Sequence, residues 1–155
     1  MDKSPSRQHG FTLTEMMIAV AIVAVLVAVA IPSFEKQRQR TLTVQAVADI
    51  GLISVAINNY RVENMSMPAT LSAVGFGNRM DPWGRPYQYY DIASGKGNGK
   101  ARKDKKLAPL NSDFDLYSMG KDGDSQGPLN AKVSRDDIVR ARDGKFVGLA
   151  EDFDP

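Results

Sequence analysis

Residues 10–34 read GFTLTEMMIAVAIVAVLVAVAIPSF. From Met16 to Phe34 there are 19 residues without a charge, and 17 of them are hydrophobic. An α-helix needs about 20 such residues to cross the hydrocarbon core of a bilayer. The whole chain has 155 residues, 43 % hydrophobic and 25 % charged, with a formal net charge of +2. Those averages describe an ordinary small soluble protein. They conceal one nearly all-apolar segment beside a rather polar remainder, which argues against a single uniformly distributed core.

Before the run lies MDKSPSRQHG, polar and slightly basic. Three readings compete. The segment is a secretory signal cut after Ala28-Val29-Ala30, or a plain membrane anchor, or a segment cut before the apolar run instead of after it. Glu15 bears on the choice, because it sits one residue before the run and continues the same helix. A carboxylate at a bilayer centre costs roughly 2–3 kcal/mol, and less near the interface. Either Glu15 lies at the headgroup level, or the helix packs against copies of itself and a neighbour's α-amino group neutralises it. The residues alone leave these two open.

Composition removes several function classes. There is no cysteine, so disulfides, zinc–thiolate sites and cysteine nucleophiles are absent. The single histidine is His9, so a Ser-His-Asp mechanism or a His-liganded metal enzyme would depend on one residue near the N-terminus. The reading is of a structural protein and not an enzyme.

After the Pro32-Ser33 step, which is expected to kink or open a helix, the pattern turns amphipathic. Ala46, Ile50, Ile53, Ile57 and Tyr60 recur at helical spacing, with Val47 and Ala56 widening the stripe. A helix over residues 11–60 would be about 75 Å long at 1.5 Å per residue, more than a small domain can bury, so its first half belongs in a membrane or a filament. Ala24 and Ala28 have the small-xxx-small spacing that lets helices approach closely, although a lipid-facing anchor shows such spacing by chance.

Glycine and proline punctuate the remainder. Strands are expected at residues 87–92 (YQYYDI), 113–119 (DFDLYSM) and 145–149 (KFVGL), enough for a small antiparallel sheet on the apolar face of the helix. The DPWGRP cluster at 81–86 is a turn in which Trp83 packs. Residues 94–111 carry Lys96, Lys100, Arg102, Lys103, Lys105 and Lys106 against Asp104 alone. Such a run is able to bind nucleic acid or anionic headgroups, but it lacks interleaved aromatics, and a solvated loop is the preferred reading. Residues 112–155 hold ten acids and six bases. Asp122, Asp124, Asp136 and Asp137 lie in a glycine-rich stretch of the kind that supplies calcium with carboxylates and carbonyls, or that uses aspartates to cap its own turns. An EF-hand is rejected, because its twelfth position would be Val133.

These segments together carry a resemblance. GFTLTE at 10–15 followed by the apolar helix resembles the class III leader of type IV pilins and pseudopilins. DPWGRPYQY at 81–89 and DLYSMGKDG at 115–123 are similar to the segments of the major pseudopilin of bacterial type II secretion. The resemblance implies an α+β, type IV pilin-like fold with a long N-terminal helix packed on a small antiparallel sheet. The implied domains are a cleaved leader (1–10), a transmembrane and polymerisation helix (11–34), an amphipathic helix half (35–67) and a C-terminal β domain (68–155). It implies cleavage between Gly10 and Phe11 by a prepilin peptidase, methylation of the Phe11 amine, and pairing of Glu15 with the Phe11 amine of an adjacent subunit. It also implies one calcium ion, held by Asp122 and Asp137 with carbonyls near Leu116 and Ser118, and with Asp124 and Asp136 close by. The implied partners are copies of the chain, other pseudopilins or pilins, an inner-membrane assembly platform, and lipid before assembly. The C-terminal domain is expected in the periplasm.

The chain also departs from the family pattern. The stretch between Asp122 and Asp137 is longer, with Pro128-Leu129-Asn130 inserted, and VRARDGKFVGLAEDF replaces a short ending. The segment between Pro68 and Asp81 is abbreviated. A type IV pilus subunit would accommodate these departures, in adhesion, motility or DNA uptake. A membrane-anchored calcium-binding protein that never polymerises is the other class to separate.

Overall fold

In the computed structural model the described residues are 10–95, 100–105 and 107–154. A helix, α1, spans Leu13–Asn64. It opens on Thr12, whose hydroxyl accepts the Glu15 N–H at 3.2 Å while the Glu15 carboxylate accepts the Thr12 N–H at 2.8 Å. This is a capping box, which satisfies donors that a helix start otherwise leaves open. The helix carries through Pro32, where a kink or local opening was expected. It also runs one turn past the expected end near Tyr60. Asn64 Nδ2 donates to the Tyr60 carbonyl at 3.0 Å, and the helix stops where Met65 turns to a φ of 51°.

The chain divides into two units, residues 1–39 and 40–155. In the first, the described residues form the start of α1, and none of them is buried. Its apolar side chains point outward all round, as a helix does when its solvent is lipid or other helices.

The second unit holds the rest of α1 and a four-stranded antiparallel meander in the order β1 (Gln88–Asp91), β2 (Phe114–Ser118), β3 (Ile138–Ala141), β4 (Phe146–Leu149). Register is set by pairs such as Tyr89 opposite Leu116, Tyr117 opposite Val139 and Arg140 opposite Val147. Ala46, Ile50, Ile53 and Ile57 pack as one face of the helix on Phe114, Leu116 and Ile138, with Leu71 and Tyr87 closing the cluster. Trp83 packs against this core, as its turn position predicts. The opposite face of the sheet is covered as well: Tyr117, Val139 and Ala141 pack with Leu110, Leu129 and Ala150. The central strands are therefore buried on both sides, and β3 was not anticipated. Its residues, IVRA, carry an arginine in mid-strand. The burial of Arg140 is made tolerable by two bonds to Asp113, at 2.8 and 2.7 Å, and by the Phe114 ring, 4.0 Å from its guanidinium carbon.

Candidate functional site

At the N-terminus Gly10 and Phe11 are exposed and precede the helix, with Glu15 in its first turn. Both Thr12 donors, backbone and hydroxyl, reach Glu15 Oε2 at 2.8 Å. The carboxylate is thus held by its own cap at the boundary of the apolar segment. Thr-x-x-Glu is a capping signature legible in the sequence, and it supplies a use for Glu15 beyond the two weighed above. Beyond it stretches the uncharged apolar segment from Met16 to Phe34, none of it buried. By length and composition this helix is able to cross a membrane.

In the second unit the two sequence segments 81–89 and 115–123 interlock. Asp81 is buried and accepts the Trp83 and Arg85 N–H groups at 3.0 and 2.8 Å and the Ser118 hydroxyl at 2.5 Å. Arg85 reaches across to donate to the carbonyls of Gly120 at 2.9 Å and of Lys121 and Asp122 at 3.4 Å. Gly123, at φ 78°, passes so close to this guanidinium that a Cβ would collide with it. The left-handed backbone favours glycine there, and any side chain would also have to displace the guanidinium from its carbonyls.

Of the expected calcium ligands, Asp122 and Asp136 lie together, whereas Asp137 is turned to Arg102. Asp122 accepts the Asp124 N–H at 2.8 Å, capping its own turn, and both residues are exposed. Asp136 accepts the Asp122 N–H at 2.9 Å. Leu116 and Ser118 are paired in β2, opposite Tyr89 and Ile138. Asp137 is fully buried and ion-paired to Arg102, Nη2 to Oδ2, at 2.5 Å. Burial is the stronger influence on this carboxyl and pushes it up to about 6, against the pull of Arg102. Its Oδ1 has no hydrogen-bond partner among the described residues. Among the described residues no group of three or more acidic or histidine side chains is placed to hold a metal. Calcium takes six to eight oxygens at about 2.3–2.6 Å. Asp137 offers one open side-chain oxygen, and that oxygen stands beside the Arg102 guanidinium, a poor setting for a divalent ion.

The basic run is likewise revised. Lys100, Lys103 and Lys105 are exposed, as a solvated loop requires, whereas Arg102 is 2 % exposed. Lys96 and Lys106 lie outside the described residues. Sequence reasoning also missed Asp49, which sits in the apolar stripe of α1, between Ala46 and Ile53, and is buried there. It accepts Arg79 Nη2 at 2.5 Å and the Tyr87 hydroxyl at 3.0 Å. An aspartate at a helix position reserved for apolar residues was the available signal.

A long, capped, apolar-ended helix packed on an antiparallel meander defines a pilin-like subunit. Residues 5–31 match the family model described as the prokaryotic N-terminal methylation motif. The chain is 30 % identical over 146 residues to the type II secretion system core protein G of Pseudomonas aeruginosa, spanning 80 % of this chain and 91 % of the relative. The protein of the same description from Aeromonas hydrophila is 29 % identical over 140 residues, spanning 77 % and 87 %. That from Klebsiella pneumoniae is 28 % identical over 146 residues, spanning 90 % and 98 %. No solved structure matches the chain. The chain belongs to the family of type II secretion system core protein G.

Proposed function

We propose that this chain is the core structural subunit of a type II secretion pseudopilus, a filament assembled from the inner membrane to drive protein export. The observation that carries the reading is the unburied apolar start of α1 directly after GFTLTE, in a chain related over most of its length to core protein G. On this reading a prepilin peptidase cuts between Gly10 and Phe11 and the new amine is methylated. The helix waits in lipid with the sheet domain in the periplasm. It then joins other copies, other pseudopilins and the assembly platform. Glu15 exchanges its bonds to Thr12 for the Phe11 amine of a neighbour. A carboxylate buried among apolar helices is costly unless paired, so this contact penalises misregistered subunits more than it strengthens correct ones.

Mass analysis of the mature chain tests the processing step: N-methyl-Phe11 as first residue supports it, and a chain beginning at Ile31 sinks it. Glu15→Ala tests the assembly step. Filaments should be lost while membrane insertion stays intact, and normal filaments from this variant would refute the role of Glu15.

A further inference from the structure

Arg102 is the least expected residue of the second unit. It comes from a run of charge that reads as solvated loop, yet it is buried on the outer face of the sheet. Its Nη2 meets Asp137 at 2.5 Å, and its Nη1 donates to Ser125 Oγ, which itself donates to Asp137 Oδ2 at 2.6 Å. The guanidinium carbon lies 4.3 Å from the centre of the Tyr117 ring. Its own N–H donates to Asp115 Oδ2 at 2.6 Å. Charge, plane and backbone are engaged, while among the described residues Nε has no hydrogen-bond partner.

The residue after Arg102 is tied to the 127–129 loop by its backbone. Lys103 N–H donates to the Gly127 carbonyl at 3.1 Å, and Leu129 N–H donates to the Lys103 carbonyl at 2.9 Å. Leu129 is buried in the outer cluster with Tyr117 and Val139. By the resemblance, Pro128, Leu129 and Asn130 are the residues that lengthen this loop. Two departures of the sequence, the basic run and the longer loop, are therefore two sides of one contact. The loop carbonyls on the other side, from Gly120 to Asp122, are taken by a second guanidinium, Arg85.

We propose that Arg102 is a built-in cation of this domain. Its guanidinium stands at Asp137, where the family resemblance places calcium, and the domain keeps its fold without the ion. A fixed guanidinium neutralises the same buried carboxylate, adds a planar stack on Tyr117, and repels a divalent ion from the remaining oxygen. The proposal concerns folding and is independent of whether the chain forms filaments.

The test uses the full chain in detergent micelles, melted in excess EGTA and again in millimolar calcium. The two midpoints should agree within about 1 °C. A calcium site filled at a hundredfold excess over its dissociation constant would raise the midpoint by about 5–10 °C, and a rise of that size overturns the proposal. Arg102→Gln should lower the midpoint by several degrees in both media, with Arg102→Lys recovering part of the loss. A variant that melts like the parent chain also overturns it. Should Arg102→Gln fail to fold, the comparison of the parent chain in the two media still decides.

Discussion

The two ends of α1 use the same residue types and are treated in opposite ways. Ile18, Ile22 and Ile31 are 56, 56 and 63 % exposed, whereas Ile50, Ile53 and Ile57 are fully buried. The first set belongs to a helix apolar on every side, and no single sheet is able to cover it. The second lies on one stripe, which one sheet covers completely. The same contrast holds for charge. Glu15, at the apolar end, is satisfied among the described residues by its own cap. Asp49, at the other, is enclosed by Arg79 and Tyr87 from distant parts of the chain. One end is left for molecules other than this chain to complete, and the other is completed by the chain itself.

Truncating one isoleucine from each set tests this contrast most strongly. Ile53→Ala removes buried atoms and leaves a cavity, for about 2–5 kcal/mol of lost stability. Ile22→Ala should leave the unfolding of the sheet domain unchanged. Denaturant unfolding followed by Trp83 fluorescence measures both, and equal losses would end the distinction. Asp49→Ala comes next. It strands the buried Tyr87 hydroxyl, which burial first and Asp49 second hold far above the ordinary tyrosine range, so that it remains a donor seeking an acceptor. A buried donor left unsatisfied costs about 1–3 kcal/mol, readable in the same unfolding experiment; Tyr87→Phe added to Asp49→Ala should recover part of it. The smallest effect is expected for Lys103→Glu with Lys105→Glu, exposed positions where each change should stay within about 0.5 kcal/mol. A larger loss would show that these lysines, like Arg102, are engaged.

Much of the architecture was legible beforehand. The apolar run, the stripe from Ala46 to Ile57, and the strands near 88, 114 and 146 all appear where local patterns place them, because periodicity reports which face a residue must bury. The strand β3 escaped, since IVRA is four residues long and its arginine breaks the apolar run. Burial of that arginine depends on Asp113 and Phe114, 27 and 26 residues away. The aspartates around 122–137 were legible as a polar, turning segment, but not as ligands or non-ligands, because that depends on which cation reaches Asp137.

Residue order was enough to define an apolar helix start, its cap and its processing motif, since each is written in contiguous residues within a few turns of backbone. It could not assign partners to buried charges. Arg102 with Asp137 and Arg85 with the Gly120 carbonyl each join residues 35 apart, and Tyr87 with Asp49 joins residues 38 apart. No local period encodes such pairings. They follow from packing the sheet on one side against α1 and on the other against the loops, which removes water from both faces and obliges every buried charge to find a partner within the chain.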